Sequence, residues 1–198
     1  ITEEFTEVSA SEGLEVFVSQ GTDFDIAVEA DENIIDFIGT DIKNGKLKIH
    51  CVENIGRATK KIFVTMPNVT GLYASNGAHL TTENKIQSDK LEIDASSGAI
   101  LNAIVQATNM DIDASSGANI SLEGTANEVY VDASSGSNVR ANDLATSEAN
   151  ADASSGANIS IDVKDNLTAE ASSGGNISYK GDPTVQKNKS VSGSVHKY

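Results

Sequence analysis

A nine-residue unit, Leu91-Glu92-Ile93-Asp94-Ala95-Ser96-Ser97-Gly98-Ala99, returns four more times before the chain ends, and any fold must accommodate that recurrence. The later copies read MDIDASSGA from Met110, VYVDASSGS from Val129, ANADASSGA from Ala149 and LTAEASSGG from Leu167. Their glycines, Gly98, Gly117, Gly136, Gly156 and Gly174, lie 19, 19, 20 and 18 residues apart. Weaker copies at Leu72-Tyr73-Ala74-Ser75-Asn76-Gly77-Ala78 and Ser190-Val191-Ser192-Gly193-Ser194 extend the series to seven rungs. A period of this length marks a repeat architecture whose units bury their apolar faces only by stacking.

The apolar period within each unit is 2, so the units are strands. Leu91, Ile93 and Ala95 face one way while Glu92 and Asp94 face the other. The glycine permits a corner, and a second alternation follows it, as in Ala118, Ile120 and Leu122 or Ala157, Ile159 and Ile161. A third, less regular side absorbs the differences in step length. Three short sides per turn, with small or aliphatic inner positions, predict an all-β chain: a single-stranded, right-handed parallel β-helix. Helical repeats are disfavoured by the period and by the recurring glycine.

Residues 1–71 lack the tight repeat but alternate in the same way, at Val16 and Val18, at Phe24, Ile26 and Val28, at Leu47, Ile49 and Cys51, and at Ile62, Val64 and Met66. They read as an irregular β-rich start to the same core, capping one end, with 72–198 forming a regular β-helix of about seven coils. Asp31–Ile38 could form a short helix. Stacking at about 4.8 Å per rung turns every repeat position into a column of like residues. Seven rungs then span about 29 Å. The inner columns are Ile93, Ile112, Val131, Ala151, Ala169 and Leu101, Ile120, Val139, Ile159, Ile177, and Asn119, Asn138, Asn158 and Asn176 could form an amide ladder beside the corner.

The formal net charge of -15 works against nucleic acid, because phosphate binding needs clustered Lys and Arg, and only Arg140 and Lys164 lie between Leu91 and Ile177. A single cysteine, Cys51, cannot form an intramolecular disulfide; its place beside Leu47 and Ile49 reads as a buried thiol. No run approaches the ~18 apolar residues of a membrane-spanning helix. The chain opens on Ile1-Thr2-Glu3-Glu4 without a charged and apolar leader, as expected of a mature or trimmed form.

The Ala-Ser-Ser-Gly-Ala-Asn-Ile rungs, with Val16-Phe17-Val18, Gly45-Lys46-Leu47-Lys48-Ile49 and Val64-Thr65-Met66-Pro67-Asn68-Val69-Thr70-Gly71-Leu72, resemble the auto-transporter adhesin head domain called GIN, a family also known as a domain of unknown function. The resemblance covers nearly the whole chain. It implies a right-handed β-helix in proteins exported to the bacterial envelope, especially of the Bacteroidetes kind, and it brings no catalytic motif to these residues.

The candidate interaction face is the outer side of the first strand. Asp94, Asp113, Asp132, Asp152 and Glu170 should form one column, with Tyr73 above and Lys189 below; Glu92, Asp111, Tyr130, Asn150 and Thr168 form the next. Two unit charges at that spacing repel by roughly 3.5 kcal/mol at an effective dielectric of 20, so the row needs compensation. Calcium held by Glu92, Asp94, Asp111 and Asp113 could supply it, as could a basic partner. Alternatively, each Asp accepts from the backbone amide two residues on, as in an Asx-turn, and shapes the corner. The serine columns suit turn chemistry better than nucleophilic catalysis, because His50, His79 and His196 all lie outside the five strong rungs. These readings favour a noncatalytic, exported or cell-surface domain, in the outer envelope or periplasm, that needs no cofactor and presents an acidic face to a surface glycan or protein. The alternatives are a polysaccharide lyase or hydrolase, and a self-assembling structural β-helix.

Overall fold

The computed structural model describes residues 3–52, 60–188 and 192–198. Its strands are β1 (Glu7–Ala10), β2 (Glu15–Gln20), β3 (Asp25–Ala30), β4 (Ile38–Lys43), β5 (Lys46–Cys51), β6 (Lys60–Met66), β7 (Gly71–Ala74), β8 (His79–Thr82), β9 (Ile86–Ala95), β10 (Ile100–Ala114), β11 (Asn119–Ala133), β12 (Asn138–Ala153), β13 (Asn158–Ala171), β14 (Asn176–Lys180), β15 (Thr184–Lys187) and β16 (Ser194–Lys197). From β7 onward each strand pairs in parallel with the equivalent strand one repeat later, forming a β-solenoid. Between β3 and β4 the only helical turn is a 3-10 turn at Ile35–Phe37, within the stretch that could have held a short helix.

The repeat signature marks the one tight turn of each coil. In Ser96-Ser97-Gly98-Ala99 the Ala99 amide donates to the Ser96 carbonyl at 3.1 Å, and the two central residues have φ of 52° and 72°. Positive φ at both centres is the type I′ requirement. The same geometry recurs at Ser116-Gly117, Ser135-Gly136, Ser155-Gly156 and Ser173-Gly174. Successive corners are tied together, since Gly98 N–H donates to Ser116 O at 3.0 Å and Gly117 N–H to Ser135 O at 3.1 Å. The other two bends of each coil lie inside long strands, where alternation lapses: Ala107 is half-buried, then Thr108 and Asn109 are both exposed.

A serine with φ near 50° sits where Cβ crowds the backbone, at a cost of about 1 kcal/mol, whereas Asn-Gly is the preferred pair for such a turn. One corner already uses it, at Asn76-Gly77. Replacing the exposed Ser135 by asparagine is therefore expected to stabilise the protein by about 0.5–1 kcal/mol, read as a rise in the denaturant midpoint at unchanged slope.

The core is a stack of aliphatic columns. Ile93, Ile112, Val131, Ala151 and Ala169 form one and Leu101, Ile120, Val139, Ile159 and Ile177 another, each residue at most 3% exposed. Within the Asn column, Asn138 Nδ2 donates to Asn119 Oδ1 at 3.3 Å and Asn158 Nδ2 to Asn138 Oδ1 at 3.1 Å, so the ladder forms across three rungs. Unequal repeat lengths are absorbed past the second side, where the register shifts between Ser121 and Glu123 and again between Ala141 and Ala145.

At the N-terminal end the stack departs from chain order. β1 lies between β5 and β7, and β2 between β6 and β8, so the first coil is inserted between two coils that follow it in sequence. β4 then runs antiparallel to β5, and β3 antiparallel to β6. These two strands pair with the outermost coil on its open side. Phe24 packs on Phe5 at 5.1 Å between ring centroids, and Phe17 stacks on Phe63 at 5.1 Å. Cys51 is half-buried; its thiol approaches the Glu12 carbonyl, and burial pushes its pKa up.

Candidate functional site

The outer face of the first side carries the acidic columns the repeat implies. Asp94, Asp113, Asp132, Asp152 and Glu170 are neighbours in register, and Tyr73 stands above Asp94. Beside them run Glu92, Asp111, Tyr130, Asn150 and Thr168. Glu92, Asp94, Asp111 and Asp113 thus occupy adjacent positions on two paired strands. Among the described residues, however, no three His, Cys, Asp or Glu side chains converge closely enough to hold a metal ion.

The Asx-turn reading of these aspartates is corrected by the hydrogen bonds. The amide two residues after Asp94, that of Ser96, donates to Ala74 O of the neighbouring coil at 3.0 Å, and Ser115 N–H likewise donates to Ala95 O at 3.0 Å. Stacking has already taken the donors an Asx-turn would use. The corner is shaped by positive-φ Ser-Gly pairs, and the carboxylates are left on the outer face.

Each end of the row has a polar terminus. Lys46 bridges Glu7 at 3.0 Å and lies 3.4 Å from the centre of the Tyr73 ring. Tyr73 leans across Gly71, where a Cβ would stand 2.6 Å from its ring. Burial pushes the Tyr73 hydroxyl well above its usual range, helped by Glu7 and Glu92, to both of which it hydrogen-bonds. At the other end Asn188, not Lys189, follows Glu170, donating to its carboxylate at 3.1 Å. Ala169 pairs with Lys187, so the register there is one residue shorter than a 19-residue step; Lys189 lies outside the described residues. Neither Lys46 nor Asn188 was legible in the repeat, because both lie beyond its strong copies. Lys46 does occupy the same alternating position as Glu92, which is the signal that could have found it.

Asp113 shows the cost of this alignment. Partial burial raises its pKa above the ordinary carboxylate value, and Asp111, Asp132, Asp94 and Glu92 add to the rise. Asp94 is raised by burial and Glu92 against the pull of Lys46, and Asp152 by burial, Asp132 and Glu170. A carboxyl raised in the folded state binds its proton more readily folded than unfolded, so its contribution to stability falls as pH rises through that window and grows as pH drops. Thermal stability is therefore expected to be higher at about pH 5 than at pH 7, and to rise with monovalent salt at pH 7. Asp113→Asn should raise the midpoint at pH 7 and flatten the pH dependence. A midpoint that falls between pH 7 and 5, or is indifferent to Asp113→Asn, would contradict this.

Two hollows lie along the adjoining edge, where the third side turns into the first. One, of about 690 Å³, is lined by residues of four successive coils, among them Asn68, Gln87, Lys90, Gln106, Thr125 and Asn127. The second, of about 180 Å³, adjoins it and includes Glu128, Tyr130 and Glu148. The Tyr130 ring is 47% exposed, and its hydroxyl donates to Glu128 at 2.6 Å. The groove residues sit on the least regular side and escaped the repeat analysis, although Gln87 and Gln106 recur at the 19-residue period.

The histidines lie elsewhere, His50 on β5, His79 on β8 and His196 on β16. His50 faces Asp41 at 3.6 Å, and His196 Nδ1 is 3.4 Å from Ser194 Oγ. The five Ser-Ser-Gly corners therefore carry no histidine. Among the described residues no helix is long and apolar enough to cross a membrane.

A parallel β-solenoid with one charged lateral face and aliphatic interior columns belongs to the class of repeat-built β-solenoid domains. The chain is a member of the family described as "Putative auto-transporter adhesin, head GIN domain", which it matches over residues 4–183. That family is one of exported or surface proteins. Similar folds occur in crystal structures described as putative adhesins. One from Bacteroides fragilis has a TM-score of 0.89 at 20% identity, covering 99% of this chain and 93% of that one. One from Parabacteroides merdae has a TM-score of 0.78 at 20% identity, covering 99% and 92%. A structure from Parabacteroides distasonis described as a putative lipid binding protein has a TM-score of 0.69 at 19% identity, covering 98% and 93%. No curated protein matches the chain.

Proposed function

We propose that this chain is a noncatalytic adhesion module at the cell surface or in the outer envelope, presenting its first side as an acidic contact surface to a glycan or protein with complementary positive charge. The observation that carries this reading is the uninterrupted row from Asp94 through Asp113, Asp132 and Asp152 to Glu170, five carboxylates in register. Keeping like charges aligned works against stability, and a cationic partner would offset that repulsion. Family membership supports adhesion as the general role.

The test uses beads coated with the protein and settled on polylysine-coated and uncoated surfaces. Adhesion should favour polylysine, weaken as salt rises and fall in the Asp113→Asn/Asp132→Asn double variant. Adhesion indifferent to both salt and the double variant overturns the acidic-face reading. The noncatalytic reading is tested separately, by incubating the protein with acidic and neutral polysaccharides and assaying new reducing or unsaturated ends. Cleavage abolished by Asp113→Ala would overturn it. A calorimetric calcium titration completes the set, since calcium uptake lost in Asp113→Asn would assign the compensation to a metal.

A further inference from the structure

We propose that the groove of about 690 Å³ between the third and first sides is a binding site for an uncharged glycan strand laid along the solenoid axis. This inference deepens the adhesion reading by naming a ligand class, and it uses a different surface from the acidic row.

The chemistry of the lining selects the class. The side chains of Asn68, Gln87, Gln106, Thr108, Thr125 and Asn127 all line the groove, all are exposed, and none has a hydrogen-bond partner among the described residues. Amides and hydroxyls both donate and accept, which is what a ligand dense in hydroxyl groups requires. Formal charge in the groove is confined to Asp89 and Lys90, which cancel. The rest of a chain with net charge -15 repels polyanions, so an acidic polysaccharide is disfavoured.

Geometry supports an extended ligand. Gln87 pairs with Gln106 and Gln106 with Thr125, so equivalent polar groups repeat along the groove once per coil. That spacing of about 4.8 Å is close to the length of one sugar unit in an extended chain. The groove volume lies within the range of about 300–1,000 Å³ typical of ligand sites.

The upper wall is held in place before any ligand arrives. The Gln20 side chain donates to Pro67 O at 3.0 Å and to Gln87 O at 3.1 Å, and accepts from Gln87 N–H at 2.7 Å. A single amide from the inserted first coil thereby fixes both the loop carrying Asn68 and the strand carrying Gln87. Such preorganisation lowers the entropy lost on binding. At the lower end Asn127 is followed directly by Glu128, where the second hollow begins.

The experiment screens the intact chain on an array of neutral and acidic glycans, then measures affinity for the neutral oligosaccharides retained. Neutral glycans should be retained, and Gln106→Leu/Thr125→Val should weaken their binding about tenfold or more, while Asp113→Asn/Asp132→Asn leaves it within about twofold. Both groove substitutions are at exposed strand positions, and an unchanged thermal midpoint verifies that the variant is folded. Retention of acidic glycans alone, no retention of any glycan, or equal affinity in the groove variant overturns the proposal. Adhesion to polylysine reads the acidic face independently, so either surface can fail without the other.

Discussion

Alanine at Gly124 is expected to destabilise this protein by about 3 kcal/mol or more, a larger loss than the same change at the corner glycine Gly98. Gly124 lies on the third side of its coil, paired with Val105 on one flank and Leu144 on the other. Its φ is 118°, and a Cβ there would stand 1.9 Å from the Val105 carbonyl oxygen. That oxygen belongs to the backbone of the preceding coil and cannot rotate away as a long side chain could. Relief requires the two coils to separate locally, breaking ladder hydrogen bonds and exposing Val105 and Leu144, both now fully buried. Gly98→Ala provides the control. Gly98 also has positive φ, at 72°, but a Cβ there would meet nothing within 4 Å. Only the conformational penalty of about 1 kcal/mol applies at that corner. Denaturant unfolding of both variants tests the comparison, and equal losses would show that the clash is relaxed at little cost. Hydrogen exchange should place the Gly124→Ala damage on β10 and β11, because each coil of a solenoid contacts only its neighbours.

The repeat made the columns legible because parallel stacking converts sequence period directly into spatial register. Asp94, Asp113, Asp132, Asp152 and Glu170 could be aligned by counting, and they are neighbours in the ladder. Counting failed where the coil length changed, so that Asn188 rather than Lys189 follows Glu170. It also misjudged the aspartates, because a local Asx-turn and a bond to the next coil compete for the same amide, and only the stacked structure shows that Ala74 O accepts from Ser96.

The N-terminal order was illegible for a different reason. Which coils touch is set by long-range pairing, and nothing local in Val8-Ser9-Ala10-Ser11-Glu12-Gly13-Leu14 says that it will sit between two later segments. A faint repeat is nevertheless present. Glu12 and Gly13 have φ of 60° and 67°, and Gly13 N–H donates to Asn76 O at 3.1 Å, as the corner glycines do down the stack. Aligning Ser11-Glu12-Gly13-Leu14 with Ser-Ser-Gly-Ala would have extended the series by one coil. The groove residues stayed hidden because their identity drifts from Gln87 and Gln106 to Thr125, preserving hydrogen-bonding capacity without preserving residue type.

Ile120→Asn should be the most damaging single change among the inner columns' central rungs, while Ser121→Asn, one residue further on, should be nearly silent. Ile120 is fully buried, in register with Leu101 and Val139. Removing its side chain forfeits about 1.5–3 kcal/mol of burial, and an asparagine amide without partners in an aliphatic column costs about 1–3 kcal/mol more. The sum of about 2.5–6 kcal/mol is a large part of the whole stability of many domains, about 5–15 kcal/mol. Ser121 points outward beside Asn102 and Arg140, where an amide finds water and polar neighbours, so its replacement should stay within about 0.5 kcal/mol. Ile120→Val separates the two contributions, since it removes one methylene without adding polarity and should cost about 0.5–1.5 kcal/mol. The three variants are compared by chemical denaturation with hydrogen exchange. If Ile120→Asn proves no worse than Ile120→Val, the amide has reached a partner or water and the coil is less tightly closed than its burial indicates. If the loss is as large as expected, exchange should rise first in β10, β11 and β12, dividing the stack at its middle while the capped N-terminal coils keep their protection.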